Sequence, residues 1–299
     1  MRAVVHTEYG EPDVLSVGEV EEPHAGPGTV RIAVRAASVN PVDWKIVSGA
    51  MAGGRPLAGP RVPGADAAGV VDEVGAGVVG VQVGDPVFGL GSGTAAEHAV
   101  LRAWAPKPPN VSFEAAAGLG VAGETAVRVL DLLGLQLGRT VVVDGATGGV
   151  GICTVQVAVS RGLVVIGTCS PANADFVRSL GAVPTRYGEG LADRVREIAP
   201  NGVDGAVDTA GRGSVRDLVA LTGDPGKVVT IADFGAGELG VQVTTGGGRA
   251  GPRLAEVAGL VVQDRLELPV AEVYPFERVA EAYRRSREGH VRGKLVLVP

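Results

Sequence analysis

The chain has 299 residues, 45% of them hydrophobic and 20% charged, with a formal net charge of −6. That length suits about two domains with a large buried core, and interspersed charges of both signs leave no basic stripe, so nucleic acid is not an expected partner. Only Cys153 and Cys169 occur, which excludes a disulfide framework and makes a reducing compartment the default. The start, Met1-Arg-Ala-Val-Val-His-Thr-Glu8, lacks a hydrophobic signal core. The apolar window Val141–Val159 holds Asp144 and a glycine-rich loop and has no aromatic belt. It therefore reads as a buried strand and helix, not a membrane span, and a soluble cytoplasmic protein with no membrane partner is expected.

Residues 1–118 read as short β-segments between Pro/Gly turns: Met1–Thr7, Val14–Val20, Thr29–Ala37, Gly69–Val74, and Pro86–Leu90 with Glu97–Val100. Such spacing suggests a small barrel or sandwich. Helix-like Ala115–Asp131 follows, and then strands alternate with helices. Thr140–Val143, Leu163–Thr168, Gly205–Asp208 and Lys227–Ile231 read as strands, and Ile152–Ser160, Ala174–Leu180, Leu191–Ala199 and Ser214–Leu221 as helices. The alternation predicts a parallel sheet wound with helices on both faces, an α/β protein. Glycine-rich Gly235–Gly251 reads as a mobile surface loop near the cleft; helices Leu254–Val262 and Phe276–Arg287 and a final strand Lys294–Val298 complete the chain.

Thr140–Gly151, T-V-V-V-D-G-A-T-G-G-V-G, carries the chemistry. A β-branched strand ends in a loop holding Gly145, Gly148, Gly149 and Gly151, and an apolar helix follows. In the dinucleotide frame it matches Ala146-x-Gly148-x-x-Gly151. Such a loop turns tightly, brings backbone to a diphosphate and opens a helix whose N-terminal N–H groups face the anion. An ordinary strand–turn–helix with incidental glycines is the other reading, because glycine is 47 of 299 residues. The next strand ends Gly167-Thr168-Cys169-Ser170-Pro171-Ala172-Asn173, with no carboxylate before Asp175. An NAD site places an acid about 20 residues after the loop to bind the ribose hydroxyls. Its absence, with Ser170 and Asn173 as donors, favours NADP(H). Against this, no Lys or Arg stands at the strand end, Arg178 lies further along, and Ser170 serves equally as a turn residue.

With these go Ala36-Ala-Ser-Val-Asn-Pro-Val-Asp-Trp-Lys45, Val62-Pro-Gly-Ala-Asp-Ala-Ala-Gly-Val-Val71, Glu73-Val-Gly-Ala-Gly77, Gly84-Asp-Pro-Val-Phe88, Phe113-Glu-Ala-Ala-Ala117, Val121-Ala-Gly-Glu-Thr-Ala126 and Gly289-His-Val-Arg-Gly-Lys-Leu-Val296. Over nearly its whole length the chain resembles the zinc-independent quinone oxidoreductase branch of the medium-chain dehydrogenase/reductase superfamily. The resemblance implies a GroES-like β-rich catalytic domain from residues 1–118 and 265–299, a Rossmann NADP(H)-binding domain over 119–264, and a homodimer. Zinc-dependent relatives carry Cys where this chain has Asn40 and Gly-His-Glu where it has Gly64-Ala65-Asp66. No metal site is expected, since a catalytic zinc needs about three Cys, His or carboxylate ligands. A Gly-x-Ser-x-Gly elbow and a P-loop are also missing.

The implied cofactor-binding residues are Gly145, Ala146, Thr147, Gly148, Gly149, Val150, Gly151, Ser170, Asn173, Tyr187, Thr125 and Ala232; the implied substrate pocket is Asn40, Asp43 and Met51. Asn40, a hydrogen-bond donor toward nicotinamide or substrate, and Thr125, the nicotinamide-contacting threonine, are the catalytic candidates. Each has a plainer reading, a turn-forming Asn before Pro41 and a helix-N-terminal Thr. Asp43 and Lys45 read more readily as loop ion-pair residues than as catalysts, and Tyr187 equally as an exposed strand-end tyrosine. Enoyl-thioester reductases of the superfamily place a tyrosine acid eleven positions after this Asn, where this chain has Met51, whose thioether donates no proton. Without a metal, hydride transfer to an electron-poor acceptor is the chemistry left. The expected activity is NADPH-dependent reduction of a quinone or an α,β-unsaturated carbonyl. The alternatives are a stereoselective enoyl reductase tailoring a polyketide-type metabolite, for which small residues Ala50–Gly54 suit a roomy pocket, and a non-catalytic NADPH-binding protein.

Overall fold

The computed structural model describes residues 1–299. They divide into two compact units, one of Met1–Val121, Ala250–Val262 and Leu268–Pro299, the other of Ala122–Arg249 and Gln263–Glu267. The first unit opens with β1 (Arg2–Val5), β2 (Ser16–Glu19), β3 (Val30–Val39), α1 (Pro41–Val47), β4 (Asp66–Val74), β5 (Pro86–Ser92) and β6 (His98–Pro106). Helix α2 (Phe113–Leu133) carries the chain from the first set of residues to the second. There follow β7 (Thr140–Asp144), α3 (Gly149–Ser160), β8 (Val164–Cys169), α4 (Ala174–Ser179), β9 (Val183–Arg186), α5 (Leu191–Ile198), β10 (Gly205–Asp208), α6 (Val215–Thr222), β11 (Val228–Thr230) and β12 (Gln242–Val243). The chain ends in α7 (Ala250–Val262), β13 (Val270–Pro275), α8 (Val279–Glu288) and β14 (Lys294–Val298).

In the first unit the sheet runs β13-β14-β3-β4-β5-β6, and β3 also pairs with β6, so four antiparallel strands close on themselves. Closure follows from β3, whose ten residues are long enough to pair with β6 through Val30–Ala33 and with β14 through Ala37–Val39. Val30, Ile32 and Val34 point inward at every second position, as a strand requires. They pack on Val71, Val87, Ala99 and Leu101. A second core gathers Val39, Val47, Tyr274, Phe276, Tyr283 and Leu297, which seats the C-terminal elements on the N-terminal ones.

The second unit is a six-stranded sheet in the order β12-β11-β10-β7-β8-β9, with every pairing parallel. Uninterrupted burial of Val141–Val143 is what a strand covered on both faces demands. The order reverses between β7 and β10. A doubly wound sheet takes ligands at the carboxyl ends of its strands beside that point.

Four elements escape the sequence patterns: α1, β9, β13 and the edge strand β12. Helix α1 is a seven-residue turn opened by Pro41, β9 is four residues containing Pro184, and β13 exposes three consecutive residues. The mobile loop expected over Gly235–Gly251 is a correction in part. Asp233 caps a 3₁₀ turn, Phe234–Leu239, by accepting from Gly235 N and Ala236 N. The chain then adds the edge strand β12. No helix is long and apolar enough to cross a membrane.

Candidate active site

The glycine loop leaves β7 at Asp144. Gly145 takes a left-handed φ of +82°, a conformation costly for any residue with a Cβ. Its N–H donates to Thr168 Oγ1 at 2.9 Å, and Ala146 N donates to Thr168 O at 3.0 Å. Gly151 is needed for a different reason, since a Cβ there would lie 2.0 Å from Gly145 O and 2.9 Å from Ala146 Cα. Gly148 has an ordinary extended backbone as N-cap of α3, and a Cβ on it would meet only Gly145 O, at 3.6 Å. The protein itself therefore does not require glycine at 148; the space over it is open. Helix α3 begins at Gly149, and the N–H groups of such a first turn find no partner inside the helix. Thr147, Val150 and Ala146 complete the loop, with the Ala146 N–H already given to Thr168 O.

Buried carboxylates brace the floor of this edge. Asp144 Oδ1 accepts from Thr168 Oγ1 at 2.5 Å and Oδ2 from Ser214 Oγ at 2.6 Å. Burial pushes the Asp144 carboxyl up, and these two hydroxyls oppose the shift. Asp208, the register partner of Asp144, accepts from Ala210 N, Gly211 N and Thr230 Oγ1. Thr230 Oγ1 accepts from Ala232 N at 3.2 Å, which places Ala232 at the same edge. Neither aspartate was among the expected site residues. The available signal was an Asp closing each of two otherwise largely apolar strands.

At the end of β8, Asn173 Nδ2 donates to Ser170 Oγ at 3.2 Å, so the two proposed donors are bonded to each other. Tyr187, half exposed, directly follows β9. Thr125 lies on α2 and is buried; its Oγ1 accepts from Arg128 Nη2 at 3.1 Å. Arg128 also donates through Nε to Glu124 Oε2 at 3.1 Å and through Nη1 to Thr244 Oγ1. Arg128, with Glu124 and Thr244, surrounds the expected Thr125 as a second group that was not among the expected site residues. Because Thr125 Oγ1 already accepts from a cation, its own O–H is left to donate.

In the first unit a buried polar cluster surrounds Asn40. Nδ2 donates to Asp66 Oδ1 at 2.8 Å and to Ser38 Oγ at 3.3 Å, and Oδ1 accepts from Lys294 Nζ at 2.7 Å. The carboxylate and the ammonium together fix the amide orientation. Both Nδ2 hydrogens are thus committed within the chain, unlike the ligand-facing donor expected of Asn40. Asp66 Oδ2 accepts from Val121 N at 2.6 Å, and Lys294 Nζ also donates to Val39 O at 3.0 Å. Asp43 Oδ2 accepts from Asn40 N at 2.7 Å. Burial raises the Asp43 carboxyl to about 7, against the Asn40 N–H, with neighbouring Asp66 adding to the rise; burial raises Asp66 as well. Met51 stands apart in the exposed turn after α1. Asn40 and Asp43 are thus brought together with Asp66 and Lys294, two residues the sequence reading did not select.

A partly closed antiparallel sheet and a doubly wound parallel sheet with a glycine loop define a GroES-like plus Rossmann dehydrogenase fold. Residues 26–127 match the alcohol dehydrogenase GroES-like domain, and residues 180–297 match the zinc-binding dehydrogenase family. The chain is 31% identical to a chloroplast envelope quinone oxidoreductase homolog of Arabidopsis thaliana, over 100% of this chain and 98% of that protein. It is 34% identical to part of the spectinabilin polyketide synthase system protein NorB of Streptomyces orinoci, where the match takes in 91% of this chain but 13% of NorB. Among solved structures it is similar to mycobacterial Rv1454c complexed with NADPH, with a TM-score of 0.87 and 27% identity over 100% of both chains. The chain belongs to the quinone oxidoreductase branch of the medium-chain dehydrogenase/reductase superfamily.

Proposed function

We propose that this protein is an NADPH-dependent, zinc-independent oxidoreductase that reduces a quinone or an α,β-unsaturated carbonyl. The observation that carries this reading is the edge of the parallel sheet: an open cradle over Gly148 beside a β8 end that bears Ser170 and no carboxylate. NADPH, when bound, supplies the hydride. The chain's share is to hold and shield. Backbone N–H groups of Gly149, Val150 and Gly151 in the first turn of α3 take the diphosphate, and Ser170, Asn173 and Tyr187 line the adenosine end. The Thr125 O–H, its oxygen already polarised by Arg128, donates toward the nicotinamide. Asp144 and Asp208 stay engaged with hydroxyls and backbone, which keeps the strand ends from shifting.

Zinc does not fit the first unit. Asn40 is a poor ligand in place of a thiolate, and Asp66 is spent on Ser38, Asn40 and Val121. A cation, the Lys294 ammonium, already serves the cluster. The acceptor must therefore be activated by its own electron deficiency. Protons for the reduced oxygens come from solvent or a ribose hydroxyl, because the Met51 thioether has none to give. A homodimer is the assembly in keeping with this family.

The test is NADPH oxidation followed with a simple quinone and with a small enone. Turnover of either supports the reading; tight NADPH binding with turnover of neither would leave a binding protein. The likeness to part of NorB favours a second reading, enoyl reduction on a polyketide-type substrate. One enone reduced with high stereoselectivity while quinones are ignored would select it.

A further inference from the structure

The strand-end motif Cys169-Ser170-Pro171-Ala172-Asn173 offers hydroxyl and amide donors for a phosphate but no cation. The sheet register supplies one from elsewhere. β8 and β9 pair in parallel with Cys169 opposite Arg186, so Arg186 is the last residue of the neighbouring strand at the same carboxyl-terminal edge. Adjacent strands lie about 4.8 Å apart, a gap that an arginine side chain spans. Sequence separation hides this neighbour, because fifteen residues, among them helix α4, intervene between Ser170 and Arg186 in the chain.

The nearby arginines differ in what occupies them. Arg178 holds Asp175 at 2.5 Å, and Arg196 holds Asp193 at 2.9 Å. Arg194 folds back on the turn after β9, donating to Arg186 O and Glu189 O at 2.8 Å and to Gly188 O at 3.2 Å. Arg194 thereby fixes the backbone that carries Arg186 and Tyr187. Arg186 itself is exposed and its guanidinium has no ion-pair or hydrogen-bond partner. An unneutralised arginine on a braced strand end, whose register partner Cys169 leads directly into two neutral donors, matches a doubly charged phosphate monoester, which guanidinium recognises through paired N–H donors.

We propose that Arg186 is the specificity-determining cation for the 2′-phosphate of the cofactor. This inference rests on the NADP(H) reading given above. Arg186 acts with Ser170 and Asn173: the two neutral side chains tolerate the phosphate, and Arg186 makes it favourable. A neutral substitution therefore weakens NADPH and leaves NADH nearly unchanged.

The experiment is calorimetric titration of NADPH, NADH, 2′,5′-ADP and 5′-AMP into the wild type, Arg186→Gln, Arg186→Lys and Arg178→Gln. Arg186→Gln should lose roughly tenfold to a hundredfold in NADPH and 2′,5′-ADP affinity, the range for one charged hydrogen-bonding group, while NADH and 5′-AMP hold. Arg186→Lys should recover part of the loss, Arg178→Gln should keep the preference, and added salt should erode the wild-type preference. A wild type that binds NADH as tightly as NADPH would refute the cofactor reading and this inference together. A wild type that prefers NADPH, with the preference intact in Arg186→Gln or lost only in Arg178→Gln, would overturn the assignment to Arg186 and leave the cofactor reading standing. Circular dichroism of each variant separates a lost contact from a lost fold.

Discussion

Gly148 and Gly151 sit three residues apart in one loop and are glycine for opposite reasons. A side chain at Gly151 would enter the backbone of Gly145 and Ala146, whereas one at Gly148 points into open space. Gly151→Ala should therefore destabilise the protein by about 1–3 kcal/mol, the usual cost of overpacking. Gly148→Val should melt like the wild type and yet fail to bind NADPH; retained affinity would sink the assignment of the loop. Asp43 makes a prediction about pH. Its native carboxyl titrates at about 7, above the ordinary 3.8, so between those values the native chain holds a proton that the unfolded chain has released. Stability must then fall as pH rises across that window. Asp43→Asn, which can still accept from Asn40 N, should flatten that fall by on the order of a few kcal/mol, as read by urea unfolding at a series of pH values. The glycines were legible in the sequence because their pattern is local. The pairing of Asn40 with Lys294 was not, since it joins residues 254 positions apart.

Long, strongly patterned elements were readable: the β7–α3 and β8 segments and the final strand. Among short ones β10 was, over Gly205–Asp208, but β9 and β12 were not. β9 contains a proline and β12 has two residues, too few for any periodicity, and both exist because a neighbouring strand offers a ladder. The same logic explains the weight carried by β14. It pairs parallel with β13 and antiparallel with β3, and it delivers Lys294 to the buried carboxylates. Lys294→Met should preserve the strand's apolar packing but strand Asp43 and Asp66 without their countercharge. A loss of roughly 3–5 kcal/mol is expected near neutral pH. The penalty should shrink toward pH 5, where the Asp43 carboxyl, raised to about 7, protonates and needs no cation. A penalty equal at both pH values would show that Lys294 serves by shape alone.

Across the whole chain, composition excluded nucleic acid and disulfide chemistry as expected partners or frameworks, and the motif set pointed to the superfamily. The reading of the cofactor from Ser170 and Asn173 lacked a cation for a plain reason: a parallel sheet places consecutive strand ends side by side while a helix separates them in sequence. Metal removal addresses the molecule as a whole. Dialysis against a chelator should leave both the melting temperature and the rate of NADPH oxidation unchanged. A fall in either, restored by zinc, would show that a metal is part of the working enzyme.

Cys153 in α3 and Cys169 in β8 are both buried, and both lie in the parallel-sheet unit. Each therefore acts as a clock for the opening of the nucleotide-binding half alone, since the β-rich half contains no thiol to add background. Burial both raises the Cys169 thiol and shields it from reagent, so alkylation waits on opening of the sheet edge that carries it. The rate of alkylation measures how often that happens. NADPH at a hundred times its dissociation constant, which stabilises a native state by about 2.7 kcal/mol, should slow the clock wherever labelling requires the empty site.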